Sequence, residues 1–380
     1  MRPFHWQPVS KQLIGKSIWK NIDDFSSQID QQELIEMFQI TNDKKGHNST
    51  SSTPMRVQVL PSSSETPKRR ALESYLDHKT AQNLGIFMAG FKLRGEELVQ
   101  KLAIINENDG GISTEQVAGL KKFCPEPELK TLYAKHEGRE EELSKVDRFM
   151  SELCHIPRLS TRLEVLTTIR ELPQELEALG PEVELSLRAC HELLDSKLFE
   201  ILLSYILSVG NLINASNSKG TTKGIRLSTL QKTCIMRTND RKRTLLQVVL
   251  RIVKHNTPQV LDLQQEMTSL SKTQSHSAKG LLAEIDIMRK SVIKVRKSCE
   301  LLKKKKYHPT KEDLQFCSDA EASLGAMENS ITQLSEKCME IKRTVTKVLV
   351  KFGESPDSDS QEIFTSVREF LDHFKKSLPP

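Results

Sequence analysis

Two neighbouring stretches of this sequence carry residue types that could do chemistry. Gly220-Thr-Thr-Lys-Gly224 combines glycine, hydroxyl and lysine as phosphate-cradling loops do, and Ser216 and Lys219 stand at the S-x-x-K spacing of a lysine-activated serine. Neither signal develops. The glycine loop lacks a Gly-Lys-Ser/Thr core and follows an apolar helical run, where a phosphate loop follows a strand. The S-D-N and K-T-G companions of S-x-x-K are missing, as are H-E-x-x-H, G-x-S-x-G and G-x-x-x-x-G-K-[ST]. The ten histidines show no ligand spacing. The seven cysteines, at 124, 154, 190, 234, 299, 317 and 338, include no C-x-x-C. A zinc site or disulfide framework is therefore not expected, and a reducing cytoplasm fits. Carboxylates lie among lysines at helix-surface spacing and read as solvated ion pairs. The sequence predicts no catalytic residue, no cofactor, no metal ligand and no enzyme. The Asn48-Ser-Thr and Asn214-Ala-Ser sequons read as chance matches.

Binding chemistry is what remains. The net charge is +6, and the cations cluster at Lys68-Arg-Arg70, at Arg237 with Asp240-Arg-Lys-Arg243, and at Lys303–Lys306. Such clusters suit an acidic surface. Nucleic acid would call for interleaved stacking aromatics; aromatics are 5% of the chain and only Tyr307 adjoins a cluster, so nucleic acid is not an expected partner. The other binding residues are Trp6 and Trp19, the only two tryptophans, both in an N-terminal stretch with little periodicity. Each could bury roughly 150–250 Å², worth on the order of 4–6 kcal/mol as an upper bound. The arm that carries them either folds onto its own domain or carries its aromatics to another chain.

The elements that must position these residues are helical. Hydrophobic residues make up 37% and charged residues 28%, with few glycines, prolines and aromatics. That mix suits long half-exposed helices and argues against an all-β sandwich. Gln31–Gln39 reads as a helix with Leu34, Ile35 and Phe38 on one face. Asn42–Arg70 reads as a flexible linker, rich in Ser, Thr, Pro and charge, with only Val57–Leu60 to bury. It would reach roughly 90 Å fully extended and about 30 Å as a coil. Leu72, Leu76, Ala81, Leu84, Phe87 and Phe91 open a series of short helices, with breaks expected at Asp109-Gly-Gly, Pro125-Glu-Pro127, Pro157, Pro173 and Gly180-Pro181. By spacing alone, Ile86 reads as a core residue of such a helix. Leu198–Ile213 is the most apolar helix, and Leu245–Val253 is another buried one. No apolar run is expected to reach the ~18 residues of a membrane span, and the N-terminus has no apolar signal core. Heptads run from Leu281 to Leu302 and from Leu324 to Phe352, on either side of Pro309. They predict an antiparallel hairpin of helices of about 40 residues, roughly 60 Å long. A final amphipathic helix uses Ile363, Phe364, Val367, Phe370, Leu371 and Phe374.

Several motifs, in order, resemble one family. They are Met1-Arg-Pro-Phe-His-Trp6 with Ser17-Ile-Trp19; Leu76-Asp-His-Lys-Thr-Ala-Gln-Asn-Leu-Gly-Ile86-Phe; Cys124-Pro-Glu-Pro127; Ile156-Pro-Arg-Leu159; and Gly210-Asn-Leu-Ile-Asn214 followed by Lys219-Gly220 and Lys223-Gly224-Ile225. Over nearly the whole chain the sequence resembles the formin homology-2 domain. The resemblance implies an elongated all-α fold with a lasso arm (1–41), a linker (42–70), a knob (71–135) and a coiled-coil and post region (136–376). It implies an antiparallel ring dimer in which the lasso residues Trp6 and Trp19 of one chain encircle the post of the other, at Gly210, Asn211, Asn214, Gly220 and Gly224. The function implied is binding of the barbed end of actin filaments, with nucleation and processive attachment, in the cytoplasm at the cytoskeleton. Ile86 falls on the family's apolar plug and Arg237 on its second, lysine contact, with Lys232, Arg241, Lys242 and Arg243 nearby to reinforce it. Arginine for lysine is a departure, since a guanidinium fork differs from a point-charge ammonium. Thr222 and Ile225 are another, standing where the family often has a small residue and an aromatic. The proline-rich segment usual before this domain does not occur, so direct profilin binding is not expected. The alternative that the residues leave open is a basic helical rod that binds acidic membranes or the sides of cytoskeletal filaments.

Overall fold

The computed structural model describes residues 3–39, 74–215, 220–272, 278–304, 308–356, 358 and 360–378. The expected linker, with Lys68-Arg-Arg70 and Asn48, lies outside the described residues, as do Ser216, Lys219, Lys305, Lys306 and Tyr307. The principal helices are α1 (Gln31–Phe38), α2 (His78–Gly90), α3 (Thr114–Lys122), α4 (Lys145–His155), α5 (Leu159–Asp195), α6 (Lys197–Ala215), α7 (Leu230–Ile235), α8 (Leu245–Asn256), α9 (Ala278–Leu302), α10 (Lys311–Phe352) and α11 (Ser360–Ser377). Among the described residues there is no strand. Two isolated antiparallel bridges occur, Pro8 with Ile225 and Arg237 with Thr244. The class is all-α, as the composition predicts.

The chain divides into two compact units. One comprises Met1–Gly46, Glu177–Asp286 and Ile331–Pro380; the other comprises His47–Leu176 and Ile287–Ser330. The first unit is built around α6, whose residues from Leu202 to Gly210 are all buried. α8 packs on it, held at its start by a capping box of Thr244 and Gln247. The end of α10 and the inner face of α11 (Ile363, Val367, Phe370, Leu371, Phe374) complete the core. α6 corrects one expectation: it is 19 residues long and apolar enough to cross a membrane by composition. Two-thirds of its apolar stretch (67%) is buried inside the protein, as in a core helix.

In the second unit a carboxylate organises the polar interior. Asp147, fully buried, accepts from the Tyr133 hydroxyl at 2.6 Å and the Tyr75 backbone N–H at 3.0 Å, and also from Ser144. Burial alone would raise its pKa; these donors outweigh that and hold it below the ordinary value. α9 and α10 form the expected antiparallel hairpin here. Arg296 pairs with Glu328 and Lys303 with Glu321, each at 2.7 Å, so seven residues down one helix match seven up the other. The two helices are unequal, 25 and 42 residues rather than about 40 each.

The breaks expected at Pro173 and Gly180-Pro181 do not occur: α5 runs unbroken for 37 residues. Two interior prolines cost a helix on the order of 6 kcal/mol together. Leu163, Leu166, Leu172, Leu176 and Leu179 are all buried, at about 1.5–3 kcal/mol each, and outweigh that cost. Both prolines are exposed, and so is Glu177, whose carbonyl Pro181 leaves without its helical partner and which water can meet.

Candidate functional site: an arm seat, a basic hairpin and an exposed isoleucine

The N-terminal arm lies in a seat on the first unit. Its entry is fixed by Asn214, fully buried at the end of α6. The Asn214 side chain accepts from the Phe4 N–H and donates to the Phe4 carbonyl, both at 2.9 Å, as a neighbouring strand would. An amide so engaged has no exposure to a glycosyl donor, which disposes of that sequon. Asn211, one turn earlier, makes the same two-way clasp on Thr222, at 2.8 and 3.0 Å, and so shapes the loop that follows. That loop pairs with the arm: Val9 N–H donates to the Gly224 carbonyl at 3.0 Å and Arg226 N–H to the Gln7 carbonyl at 2.9 Å. Ile225 is fully buried at this pairing.

Three glycines make room for the arm. A Cβ at Gly210 would lie 2.3 Å from the Trp6 ring, one at Gly224 2.6 Å from Trp19 Cγ, and one at Gly353 2.6 Å from Val9 Cγ1. Trp19 is 2% exposed, and its indole N–H donates to the Phe352 carbonyl at 2.7 Å. Gly353 also has φ +70°, the left-handed turn that ends α10. Gly220 is different. It is exposed, has φ +66°, and an added Cβ would meet nothing within 4 Å, so it serves its loop's turn and not the seat.

Beneath the paired loop sits Glu354, 5% exposed, accepting from the Leu227 N–H at 2.7 Å with Arg226 at 4.0 Å. Burial raises its pKa above the ordinary value of 4.5, against the opposing pull of the Leu227 N–H and Arg226. Further along, Phe25 stacks on Tyr205 with ring centres 4.1 Å apart, and its N–H donates to Ser208 Oγ at 3.0 Å.

The second feature is the basic hairpin after α7. Leu245 N–H donates to the Met236 carbonyl at 2.7 Å and Thr238 N–H to the Arg243 carbonyl at 3.0 Å. Asp240 staples the turn, accepting from Thr238 Oγ1 at 2.5 Å and Lys242 N–H at 3.0 Å; these two donors lower its pKa. Arg237, Arg241, Lys242 and Arg243 are exposed, and Lys232 is half-buried on α7. The hairpin is tied to the arm, since Asn239 N–H donates to the Met37 carbonyl of α1 at 2.8 Å. α1 is itself started by Asp30, which accepts from the N–H groups of Gln32 and Glu33.

Ile86 belongs to the second unit. Asp77 caps α2 by accepting from the N–H groups of Lys79 and Thr80, at 3.0 Å each. Leu84 is fully buried, and the Phe87 and Phe91 rings stack inward with centres 4.9 Å apart. Ile86 faces the other way and is 68% exposed. The core reading that spacing alone suggested is therefore wrong. The inward positions 84, 87 and 91 fill the helix's apolar stripe and leave 86 on the outer face with Gln82 and Asn83.

Trp6, Trp19, Gly210, Asn214 and Gly224 thus meet in one seat, with Asn211 bracing its loop, and the five cations gather around the hairpin. Gly353, Glu354 and Asn239 were missed by sequence reasoning. A glycine directly after the last heptad residue is a helix-end signal that could have found the first. No group of three or more His, Cys, Asp or Glu able to hold a metal ion occurs among the described residues.

These features define a helical domain with an aromatic N-terminal arm clasped by a Gly-Asn-x-x-Asn helix end. The Formin Homology 2 Domain family model matches residues 1–375, and the chain belongs to that family. It is 26% identical over 99% of its length to Disheveled-associated activator of morphogenesis 2 of Gallus gallus, and 25% identical over 99% to the protein of that name from Homo sapiens. It is 24% identical over 99% of its length to Formin-like protein 13 of Arabidopsis thaliana. The chain spans about a third of these relatives, 34%, 34% and 29% of their respective lengths.

Proposed function

We propose that this chain is an actin-assembly domain: a two-fold ring, each arm seated on the partner's body, that binds the barbed end of actin filaments, nucleates them and stays attached as subunits add. It is a binding device and not an enzyme, working in the cytoplasm at the cytoskeleton. The observation that carries the reading is Ile86, a large aliphatic side chain left 68% exposed at the position of the family's plug. The arm seat supports the ring. Its contacts are the same whichever chain supplies the arm, and closing the second of two such joints is intramolecular. The basic hairpin supplies the complementary charge for an acidic protein surface. Of the lysine run that motivates the membrane-binding rod, Lys303 is occupied by Glu321 at 2.7 Å.

The test is Ile86→Ala in seeded elongation of actin filaments. An exposed truncation leaves the free energy of unfolding within about 0.5 kcal/mol of the parent's. Burying an isoleucine in a partner is worth about 1.5–3 kcal/mol, so barbed-end affinity should fall about tenfold to a hundredfold. A variant that slows or protects barbed ends as the parent does would remove Ile86 from the site.

A further inference from the structure

The basic hairpin is not purely basic. Ile235, the last residue of α7, is 74% exposed, the most exposed large hydrophobic residue among those described. It follows Lys232 by three residues on the helix, which puts the two on one face. It precedes Arg237 by two residues across Met236, whose backbone is extended at φ −63° and ψ 125°, so the helix passes directly into the hairpin that carries Arg237. Its neighbours in sequence point elsewhere, since Cys234 and Met236 pack against the core. The hairpin bonds and the Asn239 tie to Met37 hold this arrangement without any help from Ile235. Five cations, Lys232, Arg237, Arg241, Lys242 and Arg243, lie within eight residues of it in sequence, and the one carboxylate in that stretch, Asp240, is already engaged within the turn.

We infer that Ile235 is a second apolar plug, and that Ile235 and the cations of the adjoining helix and hairpin form one docking surface for a protein partner with an apolar pocket edged by carboxylates. The inference rests on the actin reading and deepens it: the first unit has its own Ile-centred grip, as α2 has in Ile86. Charge complementarity chooses the partner's rim, and the exposed isoleucine chooses its centre. A polyanion such as RNA or a phosphoinositide surface would use the cations and leave Ile235 idle. The two parts act differently. Cations steer encounter and weaken with salt, whereas a buried aliphatic group slows dissociation and is nearly indifferent to salt.

The experiment is seeded barbed-end elongation at two salt concentrations with the full chain, Ile235→Ala, Ile235→Leu and Arg241→Ala/Lys242→Ala/Arg243→Ala. Because Ile235 is exposed, circular dichroism and melting should match the parent for both of its variants. Ile235→Ala should weaken barbed-end binding about tenfold or more, by the same factor at both salts. Ile235→Leu should stay within about threefold, and the triple variant's loss should shrink as salt rises. Barbed-end binding by Ile235→Ala equal to the parent's overturns the inference while leaving the actin reading standing. So does co-sedimentation showing that RNA or phosphoinositide vesicles compete with the filament end, with Ile235→Ala competing equally. A parent chain without any barbed-end effect overturns the actin reading, and this inference with it.

Discussion

Gly224→Ala should unseat the N-terminal arm while leaving the body folded. The added Cβ would lie 2.6, 2.8 and 2.9 Å from Trp19 Cγ, Cδ2 and Cβ, all far inside ordinary van der Waals contact. These atoms are at the root of the side chain, so the ring cannot simply swing its tip aside. On the far side the indole is pinned by its hydrogen bond to the Phe352 carbonyl, at 2.7 Å. The backbone cannot retreat either, because the Gly224 carbonyl accepts from Val9 N–H at 3.0 Å and the next residue is bridged to Pro8. Forcing a methyl into such a contact costs about 1–3 kcal/mol. The limit is the whole anchoring value of Trp19, on the order of 4–6 kcal/mol for roughly 150–250 Å² of buried indole. Meanwhile a glycine replaced outside the left-handed region tends to stabilise by about 0.4–1 kcal/mol through the unfolded chain. The net loss therefore falls on arm docking and not on the body.

The assay is supplied by the sequence, since Trp6 and Trp19 are the only two tryptophans and both are in the arm. Intrinsic fluorescence then reports arm docking alone. The parent should emit as a buried indole, and Gly224→Ala should shift to the red with unchanged far-ultraviolet circular dichroism. Light scattering on the same samples tests the ring: a dimer held by exchanged arms should lose half its mass. A folded variant with parent-like emission and parent-like mass would refute the steric argument. A red shift at constant mass would keep the seat and refute its use between chains.

Two further predictions follow from buried charges. Glu354 has a folded-state pKa above its ordinary 4.5, chiefly through burial, so the folded state holds its proton more tightly than the unfolded chain. Stability from this group is present below the ordinary value and is lost as pH rises through the window up to the raised one. Glu354→Gln keeps an acceptor for the Leu227 N–H and should flatten that fall in a urea titration of arm fluorescence; an unchanged pH profile would count against it. Arg162 and Asp313 form a buried ion pair, with side chains 9% and 11% exposed. Arg162→Met strands the carboxylate and should lower stability by about 3–5 kcal/mol in urea denaturation. Asp313→Leu added to it should recover only part, because Asp313 also accepts from the Thr310 N–H at 3.0 Å, a cap worth about 1 kcal/mol. Full recovery would mean that the cap is idle.

What could be read from the sequence follows from which forces are local. Heptads repeat every seven residues and each position argues for the next, so the α9–α10 hairpin was legible, as was α1 with its Leu34, Ile35 and Phe38 face. The same local logic failed at Pro173 and Gly180-Pro181, because the burial that carries α5 through them is provided by other elements distant in sequence. It failed at Ile86 for a different reason. An amphipathic pattern counts apolar residues on a face but cannot tell a stripe already filled by Leu84, Phe87 and Phe91 from one with room to spare. Ile235 was overlooked on the same ground, since a helix of six residues has too little periodicity to reveal an outward isoleucine. The aromatic arm was legible as an arm, while its destination was not. Asn214 and Gly224 lie some two hundred residues from the groups they receive, and the need for a glycine at 224 exists only because an indole arrives there. Gly224, whose need for a glycine depends on Trp19 arriving from elsewhere, and Ile86 and Ile235, which face outward from otherwise buried patterns, are the positions that the local pattern misassigns. For the same reason they are the positions where substitution should separate binding from folding.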